Sequence, residues 1–508
     1  MCGITGFVLL QPGERLVSED FASIRAMTAT LRHRGPDDAG FVTGNWQTSI
    51  AVAGFGADTP CEIRESAFSF SPHTSLETLA SEPIEHGYNF ALDHRRLAIL
   101  DLSAAGHQPM AAADGGIWLV HNGEIYNFEE IRSELVALGH RFVSRTDTEV
   151  IIAAYAQWGE GCLSRFNGMW AFVLLDLRAR RLFCSRDRFG EKPFFYYLDR
   201  EVFAFSSEIK GLLQSHRVSR TLNEQTIFEY LTTGKTDRRS STFFSNIAQL
   251  RGGEALIVSL ASTLAPPQPR RYWDIDPTIP PAISRRAACA DFRDLLEDSI
   301  RLRLMSDVPL GACLSGGLDS SSIVCLADRM RPKINTFSAR YKDSPHDEGE
   351  YIDAVLEKTS VTPHFTYPSV ADLIEDVESL VYHQDEPFGS LSIFAQWSVF
   401  KLVRETGVVV TLDGQGPDEM LGGYHAAFPL FMAGLLHQRR FFFAGQRGVF
   451  YPAEPSDRLG RVAVSGRAIC QGLRRQVEIH RRCFPVFRAP KVNAADGATA
   501  PQAAVAHA

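Results

Sequence analysis

The sequence predicts two domains of different class: an α+β domain with much antiparallel sheet, then an α/β domain built on a parallel sheet. At 508 residues the chain is too long for a single hydrophobic core. Up to about residue 215, short apolar runs alternate with Gly-rich turns, as is typical of antiparallel strands. Beyond residue 285, strand-like and helix-like segments alternate, as in a parallel sheet with crossover helices.

Three apolar runs of the first domain, which we place at residues 2–215, are predicted strands: 117–120, 169–175 and 181–184. Residues 146–149 (Thr-Asp-Thr-Glu) predict a helix N-terminus, because apolar residues then recur at helical spacing up to residue 158. Asp147 is the candidate cap of that helix.

Residues 216–285 are predicted to connect the domains, because Pro-rich stretches at 265–269 and 277–281 are typical of linkers. A predicted strand at 255–258 lies within this region. The second domain, residues 286–435, opens with an amphipathic helix. Its apolar side chains are Phe292, Leu295, Leu296, Ile300 and Leu304. Residues 436–508 predict a basic, Ala-rich tail that is partly disordered.

Composition excludes several classes of function. The formal net charge of -8 provides no basic field, which argues against a nucleic-acid partner. No apolar run approaches the length that spans a bilayer, and the N-terminus lacks the basic start of a signal peptide, so we expect a cytoplasmic enzyme. The nine cysteines form no CxxC pair, which argues against a zinc site and a disulfide framework. The oligomeric state stays open, and a homodimer is one arrangement the sequence allows.

Cys2 is the cysteine whose position suggests chemistry. Methionine before a small residue is normally removed, and the new terminal cysteine then carries its thiol and its own α-amine close together. With reference pKa values of about 8.5 and 8, the amine can accept the thiol proton near neutral pH. A chance cysteine at position 2 is the alternative.

Three later motifs argue against chance. Residues 32–37 (Arg-His-Arg-Gly-Pro-Asp), 122–127 (Asn-Gly-Glu-Ile-Tyr-Asn) and 185–190 (Ser-Arg-Asp-Arg-Phe-Gly) follow the initial Met-Cys-Gly-Ile in this order. Together they resemble the class II, or N-terminal nucleophile, glutamine amidotransferases. The resemblance implies an αββα sandwich that releases ammonia from glutamine.

The resemblance also implies residue roles. Asn122 and the backbone N–H of Gly123 would hold the oxyanion, while Glu124 and Asp147 would receive the α-ammonium group of glutamine. Arg96 would pair with its α-carboxylate, with Leu100 beside it. Arg95 is the neighbouring competitor, although the family's His-x-Arg-Leu pattern favours Arg96.

A Gly-rich turn opens a helix after an apolar strand in the second domain. Glycines at a helix N-terminus let backbone N–H groups approach phosphate oxygens. Residues 315–321 (Ser-Gly-Gly-Leu-Asp-Ser-Ser) resemble the loop of the ATP pyrophosphatases, and with the first domain this indicates the asparagine synthetase family. That likeness implies ATP contacts for the following residues: Leu314, Ser315, Gly316, Gly317, Asp319, Ser320, Ala339, Asp413 and Gly414.

The implied cofactor is Mg²⁺, held by Asp319 and Asp418, and the implied substrates are glutamine, aspartate and ATP. The implied reaction amidates an adenylated aspartate and releases AMP and pyrophosphate. Two other readings stay open: amidation of another carboxylate (a peptide, a sugar acid or a secondary metabolite), and a glutaminase with an inactive or regulatory second domain.

Three departures from the family pattern bear on those alternatives. Gln415 stands where many members have a glutamate implicated in forming the acyl-adenylate. The family's usual C-terminal portion, which includes a lysine that stabilises charge on the phosphates, is not found, so the synthetase half is expected to be truncated. Lys491 lies in the wrong setting to replace that lysine. Residues 41–91 form an unusually long connection, predicted to be a surface excursion.

Overall fold

A computed structural model describes residues 1–81, 87–237, 239–261, 267–276, 283–342, 344, 347–425 and 427–437. Within this structure the chain divides into two compact units, residues 1–415 and 416–508. The predicted tail from residue 438 onwards, Lys491 included, lies outside the described residues, as do residues 265–266 of the first Pro-rich stretch and the whole of the second, 277–281. Among the described helices, none is long and apolar enough to cross a membrane.

Fourteen described strands form the amino-terminal part of the first unit. They are β1 (Gly3–Leu9), β2 (Asp38–Asn45), β3 (Ile50–Phe55), β4 (Thr74–Ser75), β5 (Phe90–Arg96), β6 (Met110–Ala111), β7 (Ile117–Ile125), β8 (Gly168–Asp176), β9 (Arg181–Arg186), β10 (Phe195–Leu198), β11 (Val202–Ser206), β12 (Ile247–Gln249), β13 (Glu254–Ser259) and β14 (Arg270–Arg271). The three strands predicted from apolar runs correspond to β7, β8 and β9.

Two sheets result. An eight-stranded sheet has the order β12-β10-β11-β1-β5-β2-β3-β4, and a six-stranded sheet has the order β14-β13-β9-β8-β7-β6. Pairing is antiparallel throughout, except between β3 and β4. A shared core lies between the sheets, with Phe90 and Leu92 from one side and Leu119 and Phe172 from the other.

Seven described helices accompany the two sheets. They are α1 (Ser18–Thr30), α2 (Cys61–Arg64), α3 (Leu76–Ser81), α4 (Phe128–Ala137), α5 (Asp147–Trp158), α6 (Ile209–Leu212) and α7 (Glu224–Thr233). The apolar face of α1 packs on the eight-stranded sheet through Phe21, Ile24 and Met27, while Val150 and Ala154 of α5 join the core of the other sheet. The predicted αββα sandwich is therefore confirmed.

Two expectations about local structure need correction. The Oγ1 of Thr146, not Asp147, caps α5 by accepting the N–H of Glu149 at 3.3 Å. Residues 41–91 are more than a surface excursion, because β3 and β4 extend the eight-stranded sheet at its edge. In addition, β12 and β13 pair within the two sheets, although they lie in the predicted connecting region.

The second half of the first unit is a four-stranded parallel sheet with the order β17-β16-β15-β18. Its strands are β15 (Leu310–Cys313), β16 (Asn335–Ala339), β17 (Thr362–Thr366) and β18 (Val410–Leu412). Its helices are α8 (Arg285–Arg303), α9 (Leu318–Met330), α10 (Gly349–Leu356), α11 (Val370–Gln384) and α12 (Ser392–Glu405). The predicted parallel α/β class is confirmed.

The residues of α8 that are buried differ from those predicted to form its apolar face. Ile300 is buried in the core of the parallel sheet, and Leu296 and Leu304 pack against that core. Phe292 and Leu295, however, are exposed.

In the second unit, the described elements are the helices α13 (Pro417–Leu421) and α14 (Ala427–His437).

Candidate functional site

A cavity of about 450 Å³ lies beside Cys2, and both halves of the first unit form its walls. One wall comes from the ends of β1 and β5, from β7 and from the start of α5. The opposite wall includes Phe400 and Val403 of α12, together with Val410 and Asp413 at the edge of the parallel sheet. The predicted glutamine site therefore faces the predicted nucleotide half across one cavity.

The thiol of Cys2 is half-buried beside the end of β5. The backbone N–H of Leu97 donates to the Sγ across 3.3 Å, and the Nε of Arg34 donates to the Cys2 carbonyl at 2.9 Å. Burial raises the pKa of the thiol. Burial also lowers the pKa of the α-amine, here that of Met1, to about 5. The amine proposed to act as the base is that of Cys2, which becomes free only when Met1 is removed.

Asn122 and Gly123 lie on β7 opposite Ala171 and Trp170 of β8. The Asn122 side chain is fully buried, yet neither its Oδ1 nor its Nδ2 has a hydrogen-bond partner among the described residues. A buried amide without a partner costs free energy, so it is suited to a ligand that supplies the missing bond. A Cβ at Gly123 would lie 2.1 Å from the Met169 carbonyl oxygen, which explains the glycine.

The two adjacent arginines at the end of β5 point in opposite directions, as alternating residues of a strand do. Arg96 lines the cavity, and its Nη2 donates to the Asp101 carbonyl at 2.6 Å. Arg95 instead pairs with Asp58 at 2.8 Å. Of these two arginines, Arg96 is therefore the one placed to contact a carboxylate in the cavity. Leu100 lines the same cavity.

Glu124 and Asp147 supply negative charge to the same cavity. The Oδ2 of Asp147 accepts the N–H of Ile125 at 2.7 Å, which joins α5 to β7. Burial, and then the charge of Asp147, raise the pKa of Glu124 well above its usual range. A bound ammonium group would offset this repulsion and favour the ionised carboxylates.

Several cavity residues were not singled out from the sequence. Leu97 and Lys192 lie next to recognised motifs in the sequence. That proximity is the signal by which they could have been found. His121 is buried behind Asn122, and burial lowers its pKa to about 4, so the imidazole is neutral. Phe400 and Val403 belong to no motif. The sequence did not reveal them, because an apolar helix face has the same residue pattern whether it lines a cavity or packs in a core.

The Gly-rich turn after β15 holds its shape through serine hydroxyls. The Oγ atoms of Ser315 and Ser320 are 3.0 Å apart, and the N–H of Gly317 donates to the Ser315 Oγ at 3.4 Å. Gly316 has φ +88°, a left-handed conformation that favours glycine. The turn leads directly into α9, with Asp319 in the first turn of the helix.

The predicted nucleotide residues meet at one edge of the parallel sheet. Leu314, Ala339 and Asp413 lie at the carboxyl ends of β15, β16 and β18, and the Ser338 hydroxyl donates to the Leu314 carbonyl at 2.6 Å. Gly414 packs so closely on the turn that a Cβ there would lie 2.8 Å from the Ser320 nitrogen. Ligands of open α/β sheets bind at this edge.

Gln415 and Asp418 lie on either side of the boundary between the two units. Gln415, at the end of the first unit, is exposed. Asp418, in the second unit, is exposed in the first turn of α13, where its carbonyl accepts the N–H of Gly423 at 2.9 Å. Among the described residues, no group of three or more Asp, Glu, His or Cys side chains forms a metal cage.

Comparison with known proteins gives two family matches. Residues 82–273 match a glutamine amidotransferase domain, and residues 291–476 match asparagine synthase. A Methanocaldococcus jannaschii protein named as a glutamine-hydrolysing asparagine synthetase is 33% identical over 444 residues, which cover 84% of this chain and 76% of that protein. The chain belongs to the glutamine-hydrolysing asparagine synthetase family.

Other members of this family are longer than the part matched here. A Bacillus subtilis asparagine synthetase is 31% identical over 84% of this chain, but the match covers 63% of that protein. An amidase of Gibberella zeae is 29% identical over 67% of this chain and 52% of its own length. The chain thus spans about three quarters of one asparagine synthetase and about three fifths of the other.

Proposed function

We propose that this chain is a glutamine-dependent asparagine synthetase, which takes ammonia from glutamine and transfers it to aspartate activated by ATP. The observation that carries the proposal is the shared cavity. Cys2 and Asn122 line one wall, and Asp413, which joins the nucleotide loop, lines another. Ammonia released at Cys2 therefore enters a space that the second half also borders.

The first half-reaction follows from the groups around Cys2. In the chain without Met1, the α-amine of Cys2 accepts the thiol proton, and the thiolate attacks the amide carbon of glutamine. Asn122 and the Gly123 N–H stabilise the oxyanion, after which the proton goes to the departing nitrogen and ammonia leaves. Water then hydrolyses the γ-glutamyl thioester to glutamate and restores the thiol. Arg96, Glu124 and Asp147 hold the α-carboxylate and α-ammonium groups of glutamine throughout.

The second half-reaction is assigned to the edge of the parallel sheet. The turn at residues 315–321 would bind the phosphates of ATP through backbone N–H groups, while Leu314 and Ala339 would contact the nucleoside. The carboxylate of aspartate attacks the α-phosphorus atom, and pyrophosphate leaves. Ammonia then displaces AMP from the acyl-adenylate to give asparagine. Exclusion of water when substrates are bound would limit hydrolysis of this reactive intermediate.

Magnesium fits the donor set proposed for this site. Mg²⁺ prefers carboxylate and phosphate oxygens and usually keeps several waters, so it does not need a cage of protein ligands. Asp319, in the first turn of α9, is the proposed ligand in the first unit, and a role for Asp418 stays a prediction from the sequence. When bound, the ion would neutralise charge on the phosphates. A cytoplasmic location and a homodimer stay predictions from the sequence.

A second candidate function is amidation of a carboxylate other than aspartate. Gln415 supports it, because glutamine keeps the hydrogen-bonding reach of the family's glutamate but lacks its charge. A glutaminase with an inactive second half is the third candidate, and it predicts no consumption of ATP.

One assay separates these candidates. The purified protein receives amide-labelled glutamine, ATP, Mg²⁺ and aspartate, and pyrophosphate and labelled asparagine are measured together. Both products are expected. Pyrophosphate formation that needs a carboxylate other than aspartate would favour the second candidate. Glutamate and ammonia without pyrophosphate would contradict the synthetase proposal.

The nucleophile has its own test in Cys2→Ala. This change should abolish glutamine hydrolysis and leave ammonia-dependent synthesis intact, because the nucleotide site contains no part of Cys2. Cys61→Ala is the matched control, since Cys61 is an exposed free thiol outside the cavity lining. Glutamine hydrolysis that survives Cys2→Ala would show the site assignment to be wrong.

A further inference from the structure

A cluster of buried ion pairs joins the chain segment around Cys2 to the second half of the first unit. Arg34, whose Nε holds the Cys2 carbonyl, pairs through Nη1 with the Oε1 of Glu208 at 2.9 Å. The other oxygen of Glu208 lies 2.5 Å from the Nζ of Lys210. Lys210 in turn pairs with Asp385 at 3.1 Å. Three consecutive ion pairs thus connect the nucleophile's backbone to the residue that ends α11.

The cluster is electrically balanced and shielded from water. Arg34 and Lys210 carry two positive charges, Glu208 and Asp385 carry two negative ones, and all four side chains are 10% exposed or less. Burial raises the pKa of Glu208, but the hydrogen bond from His33 and the charges of Arg34 and Lys210 outweigh it and hold that pKa well below its usual range. Removing one partner of such a pair leaves an uncompensated buried charge, which is strongly destabilising locally.

Asp385 begins a loop that the amino-terminal half holds at two further points. The Oε1 of Glu386 accepts the N–H of Phe243 at 2.7 Å, and the carbonyl of Phe388 accepts the hydroxyl of Tyr230 at 3.1 Å. Asp385 itself has φ +62°, an unusual conformation for a residue other than glycine. We call residues 385–391 the clasp loop.

The clasp loop leads directly into α12, which begins at Ser392 and carries two residues of the cavity wall. Phe400 and Val403 are those two residues. A helix is stiff along its axis, so the position of its first turn sets the position of side chains two turns later. The anchoring of the clasp loop therefore affects the wall that faces Cys2.

We propose that Lys210 and Asp385 are positioning residues for ammonia transfer, because they fix the clasp loop, and with it α12, against the segment that holds the nucleophile. This inference rests on the proposed function, in which ammonia crosses the cavity. Without the pair, the wall formed by α12 shifts relative to Cys2. Glutamine hydrolysis then continues, but a larger share of the ammonia escapes to solvent.

The test compares Asp385→Asn with Lys401→Met. Lys401 pairs with Asp376 at 2.9 Å, so the control also removes an ion pair of α11 and α12, but that pair does not involve the amino-terminal half. We expect Asp385→Asn to raise the ratio of glutamate formed to amidated product about fivefold. Synthesis from free ammonium ions should be unchanged, and Lys401→Met should leave the ratio at its wild-type value.

Hydrogen exchange gives a measurement that does not depend on synthesis. Asp385→Asn should increase exchange in a peptide covering residues 1–10, far along the chain from the substitution, whereas Lys401→Met should not. If the wild-type protein forms no amidated product, the proposed function fails, and hydrogen exchange alone decides whether the coupling exists. An unchanged product ratio together with unchanged exchange at residues 1–10 would overturn the inference.

A milder variant covers the case in which Asp385→Asn does not fold. Tyr230→Phe removes one hydroxyl, and with it the hydrogen bond to Phe388, without leaving a buried charge. It should raise the same ratio by a smaller factor. A folded Tyr230→Phe protein with the wild-type ratio and wild-type exchange would count against the clasp loop as a positioning element.

Discussion

The backbone N–H of Leu97 lies 3.3 Å from the Sγ of Cys2, so the residue after β5 contacts the nucleophile directly. Arg96, the residue before it, lines the cavity where the α-carboxylate of glutamine is proposed to bind. Two adjacent residues at the end of β5 therefore contact the thiol and line the proposed binding site for the glutamine carboxylate. A change in the position of these residues alters both substrate affinity and the nucleophile.

Asn122→Ala should impair glutamine hydrolysis far more than stability. Its amide has no hydrogen-bond partner among the described residues, so its removal breaks no bond within them. Loss of one oxyanion donor typically lowers kcat by about 100- to 1,000-fold, while the free energy of unfolding should change by about 1 kcal/mol or less. Glutaminase kinetics and thermal unfolding check this. Gly123→Ala is the contrasting variant, because the added Cβ would collide with the Met169 carbonyl and lower stability as well.

Arg96→Lys should raise the KM for glutamine about tenfold, because lysine cannot form the two parallel hydrogen bonds of a guanidinium with a carboxylate. Arg95→Lys is the matched control, since Arg95 pairs with Asp58 and does not line the cavity. Steady-state kinetics of glutamate release measure both variants. A larger increase in KM for Arg95→Lys would reverse the assignment of the two arginines.

Glu124 should make glutamine binding pH-dependent. Its pKa is raised by burial and by Asp147, so the carboxyl is protonated at pH values where an ordinary glutamate is ionised. Because the α-ammonium group needs the ionised form, kcat/KM should rise as pH rises through the raised pKa. Glu124→Gln should lower kcat/KM and abolish its rise with pH. Glu129→Gln, on the exposed face of α4, is the control and should leave that rise unchanged.

Gly414→Ala should impair the ATP-dependent step and spare glutamine hydrolysis. A Cβ at this position would lie 2.8 Å from the Ser320 nitrogen, so the Gly-rich turn would have to move. Pyrophosphate exchange should fall about tenfold or more, since a displacement near 1 Å can cost about 100-fold in rate. At Gly161 an added Cβ meets no atom within 4 Å, so Gly161→Ala is the control. Equal exchange rates in the two variants would contradict the assigned role of the turn.

Local features of the sequence were sufficient for the fold class and for the recognition of both sites. Strand periodicity predicted β7, β8 and β9, and the motifs around Cys2, Asn122 and Ser315 are runs of neighbouring residues whose chemistry depends on short chain segments. A glycine next to an oxyanion donor, or at the start of a helix, performs its function within a few residues of chain. Such features can be recognised before any long-range contact is known.

Only the tertiary structure decided between residues that look alike in the sequence. Arg95 and Arg96 differ in their surroundings because a strand places them on opposite faces and Asp58, from a distant segment, pairs with Arg95. The clasp loop, which leads into the helix that carries Phe400 and Val403, is held by partners more than 140 positions away along the chain. Pairings over such separations depend on how whole sheets and helices pack, and the amino-acid pattern near each residue carries no record of that packing.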